Sequence, residues 1–195
     1  MSLYKLPELA FLDVETTGLS PHIFNDRICE IAILKLYGDG KTESWQSLIN
    51  PQRHISPEAS AINNITDEMV ADAPTFEELK DKISGLIEEA VLVCHNATFD
   101  LGFLAFEFQR CGCNLKFLNV IDTLRLARTY FDFPSNSLSS IAQYLGIRVD
   151  TKHRALANAR TTYKIFSNLM GELSKKEMSF NELFSHSLNQ IYQNQ

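Results

Sequence analysis

The stretch Leu9-Ala10-Phe11-Leu12-Asp13-Val14-Glu15-Thr16-Thr17-Gly18 decides the fold. It opens on a short apolar run and ends at a glycine. A run of that length, bounded by a turn signal, reads as a buried central strand. Asp13 and Glu15 are two apart, so on a strand both side chains leave the same face. Two carboxylates at the end of a buried strand are costly unless a cation or a proton offsets them. Taken alone, Asp-x-Glu is a weak signal, and a strand end with two solvated acids is the plainer reading.

Working outward, residues 27–37 form a second strand, with Ile28, Ile31, Ile33 and Leu36 apolar. Gly38-Asp39-Gly40 is a turn, and residues 42–49, with the single Trp45, form a third strand. The spacing predicts an antiparallel meander. Residues 50–74 are loop-like, with short helical stretches near Pro57-Glu58 and Thr66-Asp67-Glu68. Thr75-x-x-Glu78 is a capping box that opens a helix through Glu89. Ala90-Val91-Leu92-Val93-Cys94 is a fully apolar strand, followed by the turn His95-Asn96-Ala97-Thr98. Thr98 caps a helix reaching Arg110, in which Phe99, Phe103 and Phe106 recur at helical spacing. Val120-Ile121-Asp122 is a short strand, and helices follow near residues 123–130, 138–144 and 155–170. Strands first, then alternating helix and strand, predict an α/β domain on a mixed sheet.

At 195 residues, with 45% hydrophobic and 22% charged residues, the composition is that of an ordinary globular chain. It excludes disordered and collagen-like classes. No apolar run approaches the ~18 residues of a membrane span, and residues 1–7 lack a secretory signal pattern. The four cysteines make no disulfide scaffold; Cys29 and Cys94 lie in apolar runs and read as buried thiols of a reducing compartment. A cytoplasmic protein without membrane contact is therefore expected. The net charge of −6 argues against nonspecific nucleic-acid coating, though not against an enzyme that holds nucleic acid through metal ions. The boundary is drawn at residue 172: one domain over 1–172 and a helical tail over 173–195. In the tail, Phe180, Leu183, Phe184, Leu188, Ile191 and Tyr192 share one helical face, which predicts either a helix packed on the domain or a partner-docking helix.

Two further groups bear on chemistry. Asp100 follows the second apolar strand and falls in the first turn of a helix, where an acid is also stabilised by the helix dipole alone. Asp13, Glu15 and Asp100 thus share a position at or just past a strand's carboxyl end, where open α/β sheets form their sites. His153 lies in the most basic stretch: residues 125–164 hold seven Lys or Arg against two acids. That stretch is either a charged outer helix face or a phosphate-attracting rim beside an acidic pocket.

Four segments in order, Asp13-Val14-Glu15-Thr16-Thr17-Gly18, His95-Asn96-Ala97-Thr98-Phe99-Asp100-x-Gly102-Phe103-Leu104, Val120-Ile121-Asp122-Thr123 and His153-Arg154-Ala155-Leu156, resemble the motifs of the DEDDh 3′→5′ exonucleases. Within that family the likeness is to the proofreading (epsilon) subunits of bacterial DNA polymerase III and their stand-alone relatives, over roughly residues 8–170. Asn64-Ile65-Thr66 resembles a family Gly-Ile-Thr segment, with Asn as the next-best residue for a left-handed backbone position. The resemblance implies a ribonuclease-H-like mixed five-stranded sheet flanked by helices and two divalent metals, Mg²⁺ or Mn²⁺. It implies metal-binding roles for Asp13, Glu15, Asp100 and the position of Asn158, and a general-base role for His153. It further implies substrate contacts from Thr16, Thr17, Asn96 and Phe103, a single-stranded DNA 3′ end as substrate, and a DNA polymerase subunit as partner. The family carries Asp where this chain has Asn158, so the site is one negative charge short. A naturally weakened or silent relative and an introduced Asp→Asn change both account for that.

Overall fold

The computed structural model describes residues 7–115, 117, 119–149 and 154–175. β1 (Leu9–Thr16) is its central strand. β1 runs antiparallel to β2 (Ile28–Leu36), which pairs antiparallel with β3 (Thr42–Leu48). On its other side β1 is parallel to β4 (Val91–Cys94), and β4 is parallel to β5 (Val120–Asp122). The order β3-β2-β1-β4-β5 is a five-stranded mixed sheet, as the ribonuclease-H-like resemblance implies.

The pleat of β1 divides the core in two. Ala10, Leu12 and Val14 face one layer, with Ile31, Ile33 and Leu92 beneath α4 (Phe76–Ile87) and α5 (Ala97–Arg110). Leu9 and Phe11 face the other, with Leu34, Val93 and Ile121 beneath α6 (Thr123–Tyr130), α7 (Leu138–Tyr144) and α8 (Arg154–Ser174). Phe11 is fully buried there, edge-on to Tyr163 and Phe166 at 5.1 and 5.5 Å between ring centres. Alternation continues along the strand, so Asp13 and Glu15 project on the Phe11 side, under α8.

The connection from β3 to α4 carries α2 (Pro57–Asn63) and α3 (Asp67–Val70), packed on Cys29 through Ile55, Ile65 and Val70. Asn64 closes α2 in the left-handed conformation, φ 57°, the position the Gly-to-Asn exchange requires. The capping box of Thr75 and Glu78 forms as its spacing predicts.

Three boundaries differ from the sequence reading. α1 (Pro21–Phe24) forms where no helix is predicted, because Ser20 accepts from the Ile23 amide and Pro21 starts the turn. α5 begins at Ala97 rather than after Thr98. The Asp122 carboxylate accepts the Asn96 and Ala97 amides, at 3.0 and 3.1 Å, and takes over the cap from the Thr98 hydroxyl. α8 runs to Ser174, past the end expected near residue 170. The rest of the tail, from residue 176, lies outside the described residues. Among the described residues no helix is long and apolar enough to cross a membrane.

Candidate active site

The site forms because β4 is shorter than β1. Their pairing ends at Phe11 opposite Val93, and β4 itself stops at Cys94. The Val14 amide therefore has no β4 partner, and Asp100 takes it: Oδ1 accepts the Val14 N–H at 3.1 Å. That bond reaches across 86 residues and seats the Asp100 carboxylate between Asp13 and Glu15 on the chain. Asp100 is 4% exposed.

Asn158 arrives from the other layer. It sits in the second turn of α8, and its amide Nδ2 donates to Asp13 Oδ2 at 3.2 Å and to Glu15 Oε1 at 3.5 Å. The structure thus brings Asp13, Glu15, Asp100 and Asn158 to one place, from β1, α5 and α8. Glu30 stands directly across β2 from Glu15, and Arg154 reaches Glu30 from the first turn of α8.

The acids in this pocket hold their protons strongly. Burial pushes Asp13 well above the usual carboxylate range, and Asp100 and Glu15 add to it, while the Asn158 amide opposes it. Burial pushes Asp100 to about 8, against the Val14 amide, which favours the charged form. Glu15 is pushed to about 7 by burial and by Glu30, partly offset by Arg154. Desolvation penalises the charged form, and neighbouring acids penalise it again. A cluster in this condition takes up either protons or cations.

The other expected site residues divide. His153 lies outside the described residues. Asn96 is exposed at the N-terminus of α5, in a left-handed conformation with φ 77°, and its side-chain oxygen accepts from the Thr98 hydroxyl. Thr16 is buried, and its hydroxyl donates to the Gly18 carbonyl at 2.6 Å. Thr17 is 1% exposed; its hydroxyl donates to Asp26 and accepts from the Arg27 amide, so it holds the turn after β1. Phe103 is 1% exposed and packs against Phe99 in the core under α5. It lies on the helix face that points into the sheet, where an aromatic at helical spacing is core first.

The basic stretch is also dispersed. Arg154 is bound to Glu30, Arg160 points to Ser44 on β3, and Lys164 donates to the Arg148 carbonyl. His95, from the second motif, is a bracket between elements. Its ring contacts the Thr123 hydroxyl at 2.9 Å and the Asn136 carbonyl at 3.0 Å, and burial lowers its pKa. A cavity of about 360 Å³ opens elsewhere, between the end of α4 and the start of β4. Ser84, Ile87, Leu92, Leu115 and Phe117 line it, and none of the pocket acids does.

Residues 10–166 match the RNase_T exonuclease family. The chain belongs to the exonuclease family. It is 37% identical over 166 residues to a PolC-type DNA polymerase III of Thermotoga maritima, and 33% identical over 170 residues to that of Staphylococcus epidermidis. These matches cover 85% and 87% of this chain but 12% of either relative, so the chain spans a small part of their length. Exonuclease X in complex with 5′ overhanging duplex DNA superposes with a TM-score of 0.69 and 28% identity, over 91% of this chain and 98% of that one. The nuclease domain of 3′hExo, a DEDDh family member bound to rAMP, has the same fold, with a TM-score of 0.72 and 19% identity over 88% of this chain and 94% of that one. The chain resembles the DEDDh-type exonucleases and, through the PolC relatives, the proofreading exonucleases of polymerase III.

The family generally depends on two metals, and the donors here fit that chemistry. They are hard carboxylate oxygens with one neutral amide, the set that Mg²⁺ and Mn²⁺ accept. Among the described residues no three Asp, Glu, His or Cys side chains are spaced to enclose an ion. The Asn158 amide spans the gap between Asp13 and Glu15.

Proposed function

We propose that this exonuclease domain hydrolyses single-stranded DNA from the 3′ end to nucleoside 5′-monophosphates, in a metal-dependent reaction weakened by Asn158. The observation that carries the proposal is the meeting of Asp13, Glu15, Asp100 and Asn158 at the free end of β1. Asp13, Glu15 and Asp100, with the Asn158 oxygen, would hold two Mg²⁺ or Mn²⁺ ions, which when bound supply charge stabilisation to the attacking and leaving oxygens of a phosphoryl displacement. The protein's own part is to give up the protons held on the three acids and to keep their oxygens aimed inward. His153 takes the proton of the attacking water on an imidazole nitrogen, a role suited to a group that titrates near neutrality. Asn96 offers an exposed amide to the nucleic-acid end. The PolC relatives support a place beside a DNA polymerase, in proofreading during replication in the cytoplasm.

A second reading has a specific observation behind it. The Asn158 amide satisfies Asp13 and Glu15 without metal, as a silent nucleic-acid- or polymerase-binding module would require. Labelled single-stranded DNA and RNA, incubated with Mg²⁺ or Mn²⁺, separate the readings when this chain and its Asn158→Asp variant are compared. Release of 5′-monophosphates from DNA 3′ ends, faster in the variant, is expected. Silence of both proteins with retained DNA binding establishes the binding module, and preference for RNA reassigns the substrate. In the Asn158→Asp background, His153→Ala is expected to slow hydrolysis by roughly 10²–10⁴-fold with DNA affinity nearly unchanged. An equal loss of affinity and rate would make His153 a phosphate contact instead.

A further inference from the structure

Glu30 is an acid beside the pocket that lies outside the four motif segments. It lies on β2 directly opposite Glu15, on the same face of the sheet. An acid so placed is open to two readings, as another ligand for a cation or as a fixed part of the frame. Its partners decide between them. Arg154 grips it in a fork, with Nε on Oε2 at 3.2 Å and Nη2 on Oε1 at 3.0 Å. The Ala155 amide donates to Oε2 at 3.1 Å. Both carboxylate oxygens are therefore committed, and the Glu30 side chain is 8% exposed.

What these bonds fix is the start of α8. The first turn of α8 has no acid of its own. A helix N-terminus favours a carboxylate on its free amides, and Glu30 provides one from β2, across 125 residues of chain. Arg154 and Asn158 are four apart, so they share one face of α8. The grip on the first of them sets the depth and rotation at which the second meets Asp13 and Glu15. His153 precedes Arg154 directly in the chain.

We infer that Glu30, through Arg154 and the Ala155 amide, is a positioning residue that locks the first turn of α8 over β1 and β2 and thereby sets Asn158 against the pocket acids. This rests on the exonuclease reading for its purpose, but not for its test. Arg154→Met keeps the aliphatic stem and removes the fork; Arg154→Lys keeps the charge without it; Glu30→Gln keeps the acceptor for Ala155 and removes the charge. Amide hydrogen exchange at residues 155–158 reads the lock without any metal or substrate. Arg154→Met and Glu30→Gln are each expected to speed exchange there by roughly tenfold, the size of one lost charge-assisted hydrogen bond. The double variant is expected to add little, because both changes break the same contact. Arg154→Lys should fall between. Mn²⁺ affinity by calorimetry should weaken with the exchange, and DNA-cleavage kcat should fall with KM unchanged. Exchange at 155–158 like that of the parent, or additive effects in the double variant, overturns the inference. Weaker Mn²⁺ binding in Glu30→Gln with parental exchange assigns Glu30 to the metal instead. If every variant and the parent are silent on DNA, the nuclease reading fails while the exchange result still stands or falls alone.

Discussion

α5 buries two acids, Asp100 and Glu107, two turns apart, and treats them in opposite ways. Glu107 is 0% exposed and fully paired. Arg27 donates to it through Nε at 2.6 Å and Nη2 at 2.8 Å, and the Ile28 amide adds a third bond. Asp100 has only backbone amides, that of Val14 and its own, and otherwise stands among acids, with its carboxyl pushed to about 8. The pairing of Glu107 ties α5 to the start of β2 and belongs to the fold. The deprivation of Asp100 leaves a group that gains from any cation brought to it. One helix thus separates structure from chemistry by the charge placed opposite each acid, and burial alone distinguishes nothing.

Asn158→Asp sharpens the contrast most. It adds the missing charge on the deprived side, and metal-based stabilisation is worth several kcal/mol. If about half of that is absent in the present chain, the variant should cleave single-stranded DNA roughly 10²–10⁴-fold faster. It should bind Mn²⁺ more tightly, while its metal-free melting temperature falls or stays level, since a fourth acid repels the others. Equal rates in the two proteins would mean that the amide oxygen suffices.

Glu107→Gln breaks the paired side. It keeps the shape and strands the Arg27 charge in the core, and breaking a buried pair from one side costs about 3–5 kcal/mol. At this chain length that corresponds to a melting temperature lower by very roughly 6–20 °C. Mn²⁺ affinity of the folded fraction should hold. A variant that melts with the parent would show the pair to be dispensable.

How far these two acids were legible in the sequence differs for a physical reason. Asp13, Glu15 and Asp100 sit where apolar strands end, and a period of two puts the first pair on one face. Those are local signals, as are the Thr75 capping box and the left-handed Asn64. The five-stranded sheet followed from the same runs. Arg27–Glu107, Glu30–Arg154 and the Asp26 carboxylate are non-local. Asp26 takes the Ser20 amide and faces Arg53, which also donates to the Phe24 and Asn25 carbonyls. Glu107 reads in the sequence as one more polar residue on an amphipathic helix, and nothing near it announces Arg27, 80 residues away. Phe103 carries two signals at once, a motif position that suggests substrate contact and a helical spacing that points to the core, where the ring is buried.

The smallest effect tests the deprivation directly, through pH. In the metal-free protein Asp100 and Glu15 keep their protons up to about 8 and about 7, whereas ordinary values are 3.8 and 4.5. Between those limits the folded chain binds more protons than the unfolded one, so stability falls as pH rises to about 7 and 8 and is fully regained only as pH drops below the ordinary values. Asp100→Asn removes one such proton site and keeps an acceptor for Val14. The variant and parent should melt together below about pH 3.5, and the variant should melt progressively higher as pH rises from about 4 to about 8, where the gap levels off because folded Asp100 ionises too. The difference between the two proteins isolates the site from groups such as Asp67, whose carboxyl is held below its usual range by the Ile55 amide and destabilises only in acid. Saturating Mn²⁺ should reverse the order at pH 8.5, because the metal binds the ionised acids and stabilises the parent more than the variant. A gap that is constant with pH would mean that Asp100 is already ionised without metal, and that the pocket is as well satisfied as the Arg27–Glu107 pair.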